Sequence, residues 1–166
     1  MKDERKIYLG WEEVQSCCHK IIREIHVGAW RPDYVVGIVR GGAIPATFLS
    51  HYFDVPMKTV KVSLRDYKGI ELDPKILDET GNNILIVDDI NDSGATLKTL
   101  KQDWKLYCVE QKMLNNDSWD HFWDKKVRVA TLVSNVWSVF QVHYYGMPID
   151  RMGDKRWVVF PWEEWW

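Results

Sequence analysis

The sequence predicts an α/β protein, a mostly parallel twisted sheet flanked by helices. Three observations carry this. Short β-branched and aliphatic runs at 34–39, 57–63, 83–87, 127–133 and 157–160 alternate with stretches of helical periodicity, the pattern of strand–helix–strand units. The run ILIV at 84–87 is four aliphatics in succession, which reads as a buried strand. The breaks that follow the strands, at 40–42, 63–65 and 88–89, would all fall on one rim, where open parallel sheets bind ligands.

Each element has its own signal. In WEEVQSCCHKIIREI, 11–25, Val14, Cys18, Ile21, Ile22 and Ile25 fall on one helical face. Pro32 punctuates, the strand YVVGIV follows, and Arg40, Gly41 and Gly42 break it. AIPATFLSHYF, 43–53, reads as a helix with Pro45 in its first turn. MKTVKVS, 57–63, alternates as a strand does, and from 64 to 82 the pattern dissolves into charges, glycines and Pro74, a loop long enough to be functional. A helix begins at Ala95; residues 101–126 are polar and dotted with tryptophan, and periodicity assigns them no element.

The 166 residues suit a single domain, 1–166, and the formal charge of −2 offers no basic field for nucleic acid. Three cysteines, two of them adjacent (Cys17, Cys18, Cys108), make a poor disulfide set and point to a reducing cytoplasmic setting. The opening MKDERK has no apolar run behind it, and no stretch approaches the ~18 apolar residues of a membrane span. Neither a leader nor a membrane partner is expected.

The chemistry concentrates in ILIVDDINDSGAT, 84–96. Asp92, Ser93, Gly94, Ala95 and Thr96 are small or hydrogen-bonding, as a phosphate cradle at a helix N-terminus needs, because bulky side chains would keep the anion from the backbone N–H groups. Asp-Ser-Gly by itself is also an ordinary helix cap. Asp88 and Asp89 are not explained by a cap: adjacent acids at a strand end are costly to bury unless they meet hydroxyls, a cation or solvent. A ribose diol together with Mg²⁺ held jointly with a pyrophosphate would satisfy them. The GxxxxGK[ST] signature of nucleoside-triphosphate loops is absent.

This stretch resembles the phosphoribosyl-pyrophosphate (PRPP) signature of the type I phosphoribosyltransferases. VRGGAIP, 39–45, resembles that family's pyrophosphate loop, and WVVFPWE, 157–163, the base-binding end of its xanthine-guanine and related 6-oxopurine members. The resemblance implies a type I phosphoribosyltransferase fold with a flexible hood loop at 63–79 and a base-binding C-terminal part at 134–166. It implies Asp88 and Asp89 on the ribose hydroxyls and Mg²⁺, Asp92 as general base, and Asp92 to Thr96 around the 5′-phosphate. Arg40, Gly41 and Arg65 would hold pyrophosphate, with Lys61 and Lys68 competing for the last role. Trp157 would stack on the base, and the Val158 carbonyl and Glu163 would read its 2-position. The usual 6-oxo-reading Lys is replaced by Asn135, whose amide can donate to an oxo group or accept from an amino group.

The expected reaction joins a 6-oxopurine (guanine, xanthine or hypoxanthine) to PRPP, giving the nucleoside monophosphate and pyrophosphate. Adenine, a deazapurine or another heterocycle stays open as the acceptor, as does a PRPP- or nucleotide-sensing regulator on the same fold. A homo-oligomer, dimer or tetramer, is expected by resemblance. The tryptophan-rich end, 162–166, suits either an interface or closure of the core.

Overall fold

The computed structural model describes residues 4–62 and 82–164. Its elements are β1 (Lys6–Tyr8), α1 (Trp11–Val27), β2 (Tyr34–Val39), α2 (Ala43–Phe53), β3 (Met57–Lys61), β4 (Ile84–Asn91), α3 (Ala95–Glu110), α4 (Asn116–Lys126), β5 (Val127–Asn135), β6 (Tyr144–Ile149) and β7 (Trp157–Val159). Five strands form a wholly parallel sheet in the order β3-β2-β4-β5-β6, and β1 pairs with β7 in a separate two-stranded sheet.

Two cores follow from the strands' two-residue period. On one face Val35, Leu85, Val87, Ala130 and Leu132 pack with α1, α2 and the β1/β7 sheet through Val14, Ile21, Ile25, Leu49, Val158 and Phe160. On the other, Val36, Ile38, Ile84, Ile86, Val127 and Val129 pack with α3 and α4. The apolar run 84–87 is thus buried on both sides. The expected hood loop, 63–79, with Arg65 and Lys68, lies outside the described residues.

The strand containing the acids runs further than its apolar residues suggest. A strand ending at Val87 is the sequence expectation, but β4 continues to Asn91. Asp88 pairs with Thr131, Ile90 with Val133 and Asn91 with Ser134 on β5. On its other side β4 loses β2 after the pair Gly37–Val87. The two acids therefore stand on a strand with one neighbour, and the other edge is open to whatever the β2–α2 turn presents.

The tryptophan-rich stretch without assigned periodicity is helical. Leu97, Leu100, Trp104 and Cys108 line the buried face of α3, and Trp119, Phe122 and Trp123 that of α4. Asn115 caps α4: its Oδ1 accepts from the Ser118 N–H at 2.8 Å, a start signal legible in the sequence. Two strands had no such signal. β6 contains Gly146 and Pro148, tolerable because it is an edge strand, and Gly146 lets Cys17 of α1 come against it where a Cβ would overlap. β1 has three residues and exists by pairing with β7, far along the chain.

Candidate functional site

A cleft of about 210 Å³ is lined by residues 88–97 in one continuous stretch. Gly94 sits in the left-handed region at φ 87° and begins α3 without a side-chain cap, and the first turn of that helix carries no acid. Its N-terminal field is left for an external anion. A side chain at Gly94 would also strike Ser138 Oγ and Phe140. The turn is braced from behind: Asn91 Nδ2 donates to the Phe140 carbonyl at 2.8 Å, Ser138 Oγ donates to Asn91 Oδ1 at 2.9 Å, and the Val139 N–H donates to the Ser93 carbonyl at 3.1 Å. Ser93 Oγ accepts from the Ala95 N–H at 3.3 Å, and Thr96 is half-buried beside it.

Asp88 is buried and Asp89 half-buried. One oxygen of each is held by backbone: Asp88 Oδ1 accepts from the Asp89 N–H at 2.9 Å, and Asp89 Oδ1 from the Ile90 N–H at 2.7 Å. Burial pushes Asp88 well above the ordinary carboxylate range, and the neighbouring Asp89 charge adds to it. Burial also raises Asp89, and the charge of Glu163 contributes. Two carboxylates this expensive to ionise make a site that gains from a cation.

Among the described residues no cluster of three or more Asp, Glu, His or Cys could enclose a metal. An acid pair without a full cage fits Mg²⁺, which is usually held by one or two carboxylates plus substrate phosphates and water.

Across the open edge of β4 stands the turn after β2. The Gly42 N–H donates to the Ile38 carbonyl at 2.9 Å, and a Cβ at Gly42 would strike the Val87 carbonyl and Asp88 Cα. A Cβ at Gly41 would fall within the Asp89 carboxylate. Arg40, which follows a cis peptide bond, is exposed. The RGG turn and the acid pair, expected on one rim from the sequence, are thus in direct apposition.

The residues expected to bind the base divide. Trp157 is 62% exposed at the start of β7, its ring open to a planar ligand. The Trp157 N–H donates to Arg5 and the Val159 carbonyl accepts from Leu9. Since alternate residues of a parallel strand face one neighbour, the Val158 carbonyl points away from β1, while its side chain is buried. Glu163 Oε2 accepts from the Phe160 N–H at 2.8 Å, and Glu163 adds negative charge near Asp89. Trp162 turns inward, stacked on Phe160 with centroids 4.9 Å apart.

Asn135, expected at the base, is bonded to protein on both its amide atoms. It is buried; Nδ2 donates to the Asp92 carbonyl at 3.1 Å, and Oδ1 accepts the N–H groups of Trp137 at 3.2 Å and Arg151 at 3.4 Å. The oxygen and one of the two amide N–H groups thus join three loops.

The residue the sequence reading missed is Arg151. Its Nε lies 3.0 Å from Asp92 Oδ1, and its Nη1 donates to the Arg156 carbonyl. It stands in a polar turn whose position relative to Asp92 depends on β6, itself unseen in the sequence, so no local signal could have marked it.

The phosphoribosyl transferase domain model matches residues 6–105. A xanthine-guanine phosphoribosyltransferase of Cereibacter sphaeroides is 30% identical, the match covering 96% of this chain and 88% of that protein. The xanthine phosphoribosyltransferase 1 of Saccharomyces cerevisiae is 22% identical, with 98% and 92% covered. A purine phosphoribosyltransferase of Pyrococcus horikoshii superposes with a TM-score of 0.69 at 27% identity, over 96% of this chain and 95% of that one. The chain belongs to the phosphoribosyltransferase family, and its architecture is the type I fold.

Proposed function

We propose that this enzyme salvages purines by joining a 6-oxopurine (guanine, xanthine or hypoxanthine) to PRPP, releasing pyrophosphate. The observation that carries the reading is the convergence of Asp88, Asp89, Gly41 and the uncapped turn into α3 on one rim. Similarity to xanthine-guanine and purine phosphoribosyltransferases over nearly the whole chain supports the choice of acceptor.

The roles follow from the chemistry. The 5′-phosphate would lie on the turn from Asp92 to Thr96, held by backbone N–H groups and the Ser93 and Thr96 hydroxyls. Asp88 and Asp89 would accept from the ribose diol and hold Mg²⁺. When bound, the ion would offset charge building on the departing pyrophosphate. Arg40, the Gly41 N–H and Arg65 would donate to that leaving group. Trp157 would fix the plane of the base, with the Val158 carbonyl and Glu163 at its 2-position. Asp92, its side chain 42% exposed, would remove the imidazole-ring proton as the base attacks the anomeric carbon, a step in which a positioned base contributes roughly 10²–10⁴-fold. Dimeric or tetrameric assembly belongs to the same proposal.

The test is pyrophosphate release from PRPP with guanine, xanthine, hypoxanthine and adenine in separate reactions, with Mg²⁺ and with excess chelator. Release with oxo-bases, abolished by chelator, supports the reading. PRPP binding with no release for any base would sink the purine assignment.

A further inference from the structure

Asp92 and Arg151 present a hydrogen-bond acceptor and a donor side by side, and the edge of one class of purine has the complementary pair. The guanidinium has five N–H donors. One is on Asp92 Oδ1 at 3.0 Å and one on the Arg156 carbonyl, leaving three without a partner among the described residues. The Arg156 carbonyl immediately precedes Trp157. The cation therefore spans from the acid beside the phosphate turn to the segment that presents the stacking ring. The Arg151 side chain is only 17% exposed, so its remaining donors are partly desolvated and costly to leave unmatched.

The support behind this pair is stiff. Asp150 Oδ1 accepts from Trp137 Nε1 at 2.9 Å and from the N–H groups of Met152 at 2.9 Å and Gly153 at 3.2 Å. Asp154 holds Arg156 through the backbone N–H at 3.0 Å and Nη2 at 2.7 Å. Asn135 accepts from the Arg151 N–H and donates to the Asp92 carbonyl, so one buried amide sets the backbone of both partners. Such a braced loop positions a specific donor.

A purine whose imidazole-ring proton faces Asp92 has its 6-substituent on the same edge, one ring atom away. In an oxopurine that edge reads donor then acceptor, ring N–H and C=O; in adenine it reads donor then donor. A carboxylate beside a guanidinium matches the first and leaves two donors facing each other in the second. We propose that Arg151, resting on the phosphoribosyl-transfer reading above, is the residue that selects oxo- over aminopurines, by donating to the 6-oxo group of a base held at Asp92.

The test compares the unmutated enzyme with Arg151→Ala and Arg151→Lys, measuring kcat/KM for guanine, hypoxanthine, xanthine and adenine at saturating PRPP and the KM for PRPP itself. Loss of one charge-assisted hydrogen bond corresponds to about 10- to 100-fold. Arg151→Ala should lose this much with each oxopurine and none with adenine, Arg151→Lys should recover part of it, and the KM for PRPP should hold. An equal loss for all four bases, or a loss confined to the KM for PRPP, would show that Arg151 is only a strut and would overturn the proposal. Because the alanine variant can fail by unfolding, calorimetric binding of inosine monophosphate against adenosine monophosphate to the unmutated protein is the second measurement. A preference for the oxo-nucleotide is expected, and parity overturns the proposal. If the unmutated enzyme turns over no base at all, the transferase reading fails first, and that failure is visible before any substitution is made.

Discussion

The carboxylate of Asp89 lies where any side chain at position 41 would begin. Gly41 belongs to the turn after β2, Asp89 to the part of β4 that outruns β2, and the contact joins the two halves of the site. Gly41→Ala should push Asp89 off its Ile90 bond or displace the 40–42 turn. Forced overpacking of this kind typically costs 1–3 kcal/mol. The expected result is a loss of at least ~10-fold in kcat/KM for PRPP, with a second substitution, Asp89→Ala, restoring thermal stability but no activity. Unchanged kinetics in Gly41→Ala would show that the turn has room to move.

The acid pair predicts a pH dependence with a definite sign. Both Asp88 and Asp89 are raised above their ordinary value of 3.8 by burial. Below that value folded and unfolded chains are both protonated and the pair costs nothing. As pH rises past it the unfolded chain ionises first, and stability falls until the folded pair ionises too. Asp88→Asn, which keeps an oxygen for the Asp89 N–H, should therefore melt above the unmutated protein at pH 7.5, by a gap that closes toward pH 4. Each 1 kcal/mol corresponds to about 2–4 °C at this chain length. Mg²⁺ should raise the melting temperature of the unmutated protein more than that of the variant. A gap independent of pH would mean the carboxyl is not buried at a cost.

Asp92→Asn separates chemistry from binding. The amide retains an oxygen for Arg151 Nε but cannot take a proton, so kcat should fall by roughly 10²–10⁴-fold while PRPP still binds. Single-turnover kinetics beside equilibrium titration would show this; loss of both together would remove Asp92 from the role of base.

Trp157→Ala tests the stacking proposed for that ring. The side chain is exposed, so its removal should leave the melting temperature almost unchanged. Stacking contributes about 1–3 kcal/mol per base, which predicts a KM for the base raised roughly 5- to 150-fold and a KM for PRPP that does not move. A drop in stability without that rise would make Trp157 a packing residue.

The thiols should be inert. All three are free and buried, and burial pushes Cys18 up to about 12 and Cys108 up to about 11. Alkylation at pH 8 followed by mass spectrometry should find no adduct on native protein and three after unfolding, because the thiolate is the reactive form.

Local chemistry made much of this protein legible in its sequence. The four aliphatics before Asp88 announce a buried strand, the small residues 92–96 a helix entry shaped for an anion, and Arg40–Gly42 a turn. Each depends on side-chain type at a short spacing, which is what a sequence records. Other features belong to the tertiary structure because their partners are distant along the chain. β1 is a strand only against β7. Gly41 is required only because Asp89 arrives beside it. Asn135, read as a base contact, also ties Asp92 to Arg151, and Arg151 meets Asp92 across 59 residues because β6 runs parallel at the sheet edge and returns the chain to the same rim. Hydrophobic period and turn chemistry decide which strands exist and where they end. The order in which the strands pair decides which charges meet, and here it set Arg151 against Asp92.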